Sequence, residues 1–137
     1  MDLRDNIYRN TGETSVDGID NDGNGYVDDV NGWDFFNNDR TVFDSQDISH
    51  GTHIAGIIGA RDNTVGGIGV APNARVLPCK VISSDGLLSR KSAIINAINY
   101  AHDMGVQVVN CSWAVDLLDE NADGEFYDFD EMLQLMT

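Results

Sequence analysis

The sequence predicts an α/β fold: a parallel sheet flanked by helices, preceded by a loop region rich in Asp, Asn and Gly. Three observations carry this. The apolar runs 75–81 and 106–111 read as buried strands. The stretch between them holds a helical stripe that ends at a glycine. Residues 1 to 47 show little periodicity of either kind.

The N-terminal stretch, dense in Asp, Asn and Gly, reads as loops shaped around bound ions and side-chain hydrogen bonds. Regular structure is expected from His50. The run Gly51-Thr52-His53-Ile54-Ala55-Gly56-Ile57-Ile58-Gly59-Ala60 places Ile54, Ile57 and Ile58 at helical spacing, which predicts a buried helix whose glycines permit close packing. Gly66 to Asn73 is turn chemistry, Arg75 to Val81 a strand, and Ser83 to Gly86 a loop. Ser89 or Ser92 can then cap a second helix with the stripe Ile94, Ile95, Ala97, Ile98 and Ala101, and Gly105 stands where a left-handed stop is wanted. Val106 to Cys111 completes a strand, helix, strand unit, which implies a right-handed crossover. Cys79 and Cys111 each end an apolar run, so burial as small hydrophobes is the default and a disulfide the alternative.

Composition narrows the function classes. Hydrophobic residues at 42% and charged residues at 23% describe a globular chain, and no apolar run is long enough to span a bilayer. Eight Lys and Arg against 23 Asp and Glu give a net charge of -15, which repels phosphate backbones and anionic lipid, so nucleic acid is excluded as a partner. No signal peptide precedes Met1-Asp2-Leu3-Arg4. The acid concentrates near 17–47 and 116–131, where carboxylates must be solvated or neutralised by cations.

The first acidic stretch has a metal-ligand pattern. Asp20, Asp22, Asn24, Tyr26 (through its carbonyl) and Asp28 offer oxygen at alternate positions, and Gly25 allows the sharp turn that lets them converge. Calcium takes such hard oxygen donors; the plainer alternative is a solvated turn. The twelfth position is Asn31 rather than a bidentate glutamate.

The sharpest local chemistry is His50-Gly51-Thr52-His53-Ile54-Ala55-Gly56. A histidine opening a helix among small residues can be held with one ring edge exposed, as a general base toward a hydroxyl requires. His50 and His53 as a zinc pair, or as structural histidines, stay open on the residues alone, although no glutamate lies between them and no further ligand set follows.

The same heptapeptide resembles the histidine motif of the subtilisin-like serine proteases (subtilases, peptidase family S8). Gly69-Val70-Ala71-Pro72-Asn73-Ala74, Cys79-Lys80-Val81, Asp85-Gly86, Ile94-Ile95-Asn96-Ala97-Ile98 and Val108-Val109-Asn110-Cys111-Ser112-Trp113 then resemble successive landmarks of that family in the same order. The resemblance implies a partial subtilisin-like peptidase domain over 1–114, with His50 as the catalytic base and His53 structural. By the same resemblance, the triad aspartate lies upstream of Asp2-Leu3 and the Gly-Thr-Ser nucleophile motif beyond Trp113, so this stretch alone is expected to be inactive. It further implies an extended peptide or protein substrate, paired through its backbone and bordered by Ser112, Trp113 and Ala114, where Ala114 stands in place of the usual Gly. Asp2 and Asn63 fall where the family often builds a separate calcium site, and secretion or a secretory compartment is implied as location.

Residues 115–137 are an acidic tail that resembles a calmodulin-type EF-hand, with Asp119, Asn121, Asp123 and Asp130 as candidate ligands. A second functional class follows from it: a non-catalytic calcium-binding protein on a protease-like scaffold.

Overall fold

The structure is a computed structural model, described for residues 3–44, 47, 49–86 and 89–112. Its elements are β1 (Trp33–Asp34), α1 (His50–Gly59), β2 (Cys79–Lys80) and α2 (Lys91–Asp103). β1 and β2 form a two-stranded parallel sheet in which Trp33 faces Cys79 and Asp34 faces Lys80. The α/β class with parallel pairing therefore holds, with a sheet narrower than expected.

α2 forms where its stripe predicts. Ala93, Ile94, Ala97, Ile98, Tyr100 and Ala101 are buried, packing with Trp33, Phe35 and Val81 into the core. Ile95, expected in the stripe, sits at its half-buried edge, and Tyr100 takes the central place instead. Neither serine caps the helix. Arg90 is the N-cap without a side-chain capping bond, and Ser89 Oγ donates to the Val81 carbonyl at 2.8 Å. The stop is as expected: Gly105 adopts φ +71, its N–H reaches the His102 carbonyl at 2.9 Å, and Val106 N–H reaches Ala101 at 3.0 Å. That pair of bonds is a Schellman motif, which satisfies the last helical carbonyls.

α1 has the expected span but not the expected burial. Only Gly59 is buried, and Ile57 is 53% exposed. Its C-terminal end is the anchored one. Val70 N–H donates to the Ile57 carbonyl at 2.9 Å, Ala71 N–H to Ile58 at 2.8 Å, and Asn6 Nδ2 to Gly59 at 2.8 Å. Gly69 has to be glycine for this approach, because a Cβ there would lie 2.5 Å from the Ala60 nitrogen. Gly51 and Gly56 meet nothing within 4 Å, so the packing role expected of the helix glycines belongs to Gly59, against Val76.

Two strand expectations are corrected. The run 75–81 contributes a two-residue strand plus an isolated parallel bridge between Ile7 and Val76. Residues 106–111 form no strand, leaving Val108 83% exposed and Cys111 exposed rather than buried, with both cysteines free. A strand exists only where a neighbouring backbone completes its ladder, and among the described residues none pairs with this segment. The N-terminal region, read wholly as loop, supplies β1.

Candidate active site and acidic cation cradle

His50 is the first residue of α1, and its ring is exposed. The first turn carries no acidic residue, and Ser49, the N-cap, makes no side-chain capping bond. His50 Nε2 lies 2.8 Å from the Ser112 carbonyl oxygen, and Asn110 Nδ2 donates to Ser112 Oγ at 2.8 Å. The fold therefore brings the predicted base against the first residue of the predicted substrate edge. Trp113 and Ala114 lie outside the described residues. His53 is also exposed, with its N–H bonded to the Ser49 carbonyl at 2.9 Å. Burial pushes the Cys79 thiol up to about 12, so that sulfur is not a thiolate at neutral pH.

A second site forms in the N-terminal loops. Glu13, Asp22 and Asp29 each offer a carboxylate oxygen, and these oxygens lie within 4.8 Å of one another. Oxygens on opposite sides of one calcium ion, each at about 2.4 Å, are separated by about that distance. Asp29 is fully buried and Glu13 is 6% exposed. Asp29 accepts hydrogen bonds from neutral groups: Tyr100 O–H at 2.6 Å, Asn10 Nδ2 at 2.8 Å and Asn24 Nδ2 at 3.0 Å. Glu13 accepts the N–H groups of Asn21 at 2.8 Å and Asp28 at 3.1 Å, which closes the loop over the cluster. Burial, followed by the bond to Asp29, drives the Tyr100 phenol far above its ordinary value.

The ligands expected from spacing divide between two tasks. Asp22 belongs to the cluster, and Asn24 donates to Asp22 and Asp29 through Nδ2. Asp20 instead accepts the N–H groups of Gly23, Asn24 and Gly25 at 2.7, 3.2 and 2.9 Å. These bonds, Gly25 foremost, hold its carboxyl below the ordinary range. Asp28 binds the N–H groups of Asp17 and Gly18 at 2.9 and 3.2 Å. The Tyr26 ring packs edge-on against Trp33, Phe35 and Tyr100 at 5.2, 5.5 and 5.0 Å. Ligand spacing does not point to Glu13, Asp29 or Asn10; the adjacent Asp28-Asp29 pair is the one local sign. Asn63 Oδ1 accepts the Val65 N–H at 2.7 Å. Its supposed partner Asp2, and the tail candidates Asp119, Asn121, Asp123 and Asp130, lie outside the described residues.

A sequence profile described as the Subtilase family matches residues 1–131. The chain is 38% identical over 117 residues to subtilisin-like protease 1 of Plasmodium berghei (strain Anka), covering 84% of this chain and 19% of that protein. It is 41% identical over 106 residues to the thermophilic serine proteinase of Bacillus sp. (strain AK1), covering 76% and 25%. Thermitase of Thermoactinomyces vulgaris is 42% identical over 84 residues, covering 61% and 29%. The chain thus spans between 19% and 29% of the length of these relatives. With that profile matching most of its length, the chain belongs to the subtilase family.

Proposed function

We propose that the chain is the histidine-bearing part of a calcium-stabilised subtilisin-like serine endopeptidase. One observation supports this above the rest: the exposed His50 imidazole at the start of α1, brought against Ser112 of the expected substrate edge. In the proposed reaction Nε2 accepts the proton of a serine hydroxyl as that oxygen attacks the peptide carbonyl, then returns it to the leaving amine. The serine, and the aspartate that orients the ring, are expected in coding sequence on either side of this stretch. An extended peptide would pair its backbone along the Ser112-Trp113-Ala114 edge. We place the boundary of the peptidase segment near 114 and assign the protein to a secreted or secretory location. No described helix is long and apolar enough to cross a membrane.

Glu13, Asp22 and Asp29 are the groups that would hold calcium, while Asn10 and Asn24 beside them donate Nδ2 N–H groups to Asp22 and Asp29. The three carboxylates supply hard oxygen donors, and buried Asp29 accepts from neutral groups, so a divalent cation fits them. The ion would supply charge neutralisation and loop order. The remaining candidates, Asp20 and Asp28 in this loop, Asp2 with Asn63, and Asp119, Asn121, Asp123 and Asp130 in the tail, belong to the proposal as further or alternative ligands.

The deciding experiment expresses the chain with its flanking coding sequence and assays peptide hydrolysis. Activity that a serine-directed covalent inhibitor abolishes, and that His50→Ala lowers by several orders of magnitude, is the expected result. The acidic cradle also favours a second reading, a non-catalytic calcium-binding protein on a protease-like scaffold. Calcium-dependent melting with no hydrolysis in the extended protein would select it.

A further inference from the structure

Beside the histidine helix, three carboxylates converge on one ammonium. Lys80 Nζ lies 3.0 Å from Asp34 Oδ2, 2.9 Å from Asp44 Oδ2 and 2.8 Å from Asp47 Oδ1. The Lys80 side chain is 9% exposed and that of Asp34 is 0% exposed. Asp34 is fixed from its other side by the N–H groups of Phe36 and Asn37, both at 2.8 Å. Asp44 and Asp47 are tied to each other: Asp44 N–H donates to Asp47 Oδ2 at 2.7 Å, and Asp47 N–H to the Asp44 carbonyl at 3.0 Å. Burial alone would lower the Lys80 ammonium, but the bonds from Asp47, Asp44 and Asp34 outweigh it and hold it above the ordinary lysine value.

This network sits where α1 lacks support of its own. The helix is held at its C-terminal end by Gly69 to Ala71 and Asn6. Its N-terminal end has no side-chain cap, His50, Gly51, Thr52 and His53 are all exposed, and a Cβ on Gly51 would touch nothing. Asp47 stands just ahead of Ser49, whose carbonyl accepts the His53 N–H, the bond that opens α1. Asp47 is two residues before Ser49 in sequence, so restraining it restrains the chain that leads into α1, whose first residue is His50.

We propose that Lys80 is a positioning residue for His50: fixed on β2 beside Asp34, its ammonium clamps Asp47 and so sets the first turn of α1 and the placement of the imidazole. The role as catalytic positioning rests on the protease reading and deepens it. A competing role, in which Lys80 does no more than neutralise buried Asp34, would alter stability throughout the fold and leave the first turn of α1 no more affected than the rest.

The test separates the two roles in the 137-residue chain itself. Amide exchange is followed at His53, which reports the start of α1, and at Val106, which reports the end of α2, together with the His50 imidazole NMR signals. In Asp47→Asn, which keeps Lys80 with Asp34 and Asp44, His53 is expected to exchange about tenfold faster with Val106 unchanged and the His50 signals displaced. Lys80→Met is expected to do the same more strongly; should it unfold the chain, Asp47→Asn decides. Equal acceleration at His53 and Val106, or none at His53, overturns the proposal. In the protein expressed with its flanking sequence, Asp47→Asn should lower kcat about tenfold with KM unchanged. An unchanged kcat in an active protein overturns the catalytic part of the inference, whereas an inactive unsubstituted protein overturns only the protease reading.

Discussion

His50 Nε2 and the Ser112 carbonyl oxygen meet at 2.8 Å although 62 residues separate them. A carbonyl oxygen only accepts, so Nε2 must be the donor and carry the proton in this arrangement. A general base toward serine needs that same nitrogen free to accept. The contact marks where a nucleophile would have to compete, and it fixes the ring's orientation in this chain.

The tautomer follows directly. Nitrogen NMR of the chain above the imidazole titration range should show the His50 proton on Nε2. Replacing Ser112 by proline, which keeps the carbonyl but disturbs the backbone that aims it, should weaken that preference. A proton on Nδ1 in the unsubstituted chain would contradict the geometry.

Calcium should raise the melting temperature and a chelator should reverse the rise. At a free concentration of about 100 Kd, mass action gives roughly 2.7 kcal/mol. Asp29→Asn should abolish most of the shift, because Asp29 is the fully buried member of the cradle. A full calcium response in that variant would remove Asp29 from the site.

Tyr100→Phe tests the same carboxylate from the core side. The phenol O–H donates to Asp29 Oδ2 at 2.6 Å. Loss of the hydroxyl should cost about 1–3 kcal/mol in urea denaturation without calcium, since the buried acceptor loses a donor. An unchanged midpoint would mean that solvent replaces the phenol.

Ile94→Ala should cost about 2–5 kcal/mol, because Ile94 is 3% exposed in the cluster that joins α2 to the sheet. Val108→Ala, at 83% exposure, should stay within about 0.5 kcal/mol. Equal losses at the two positions would show that 106–111 is packed in solution.

Stability should fall at both ends of the pH scale. Burial would raise the Asp47 carboxyl, but Lys80, Ser84 and the Asp44 N–H together hold it below the ordinary range. That contribution is present above the unfolded value, about 4, and is lost as pH falls through the folded one. Lys80 is raised, so its contribution is present below about 10 and is lost as pH rises through its folded value. Denaturation midpoints should therefore form a plateau between about pH 5 and pH 9, and Lys80→Met should flatten the alkaline limb.

The sequence by itself determined what neighbours along the chain decide. Both helices lie where three- and four-residue spacing put them, Gly105 stops α2 because the chain turns left-handed there, and Asp20 wraps its own loop. Motif order was likewise enough to identify the family. Only the tertiary structure decided which distant groups meet. Glu13, Asp22 and Asp29 converge, Tyr100 reaches Asp29 across 71 residues, and Lys80 gathers Asp34, Asp44 and Asp47, none of which spacing within one segment encodes. Exposure was decided there too: α1 and 106–111 are apolar enough to be buried, yet burial requires a neighbouring surface, and the described residues supply one to α2 and, in α1, to its C-terminal end.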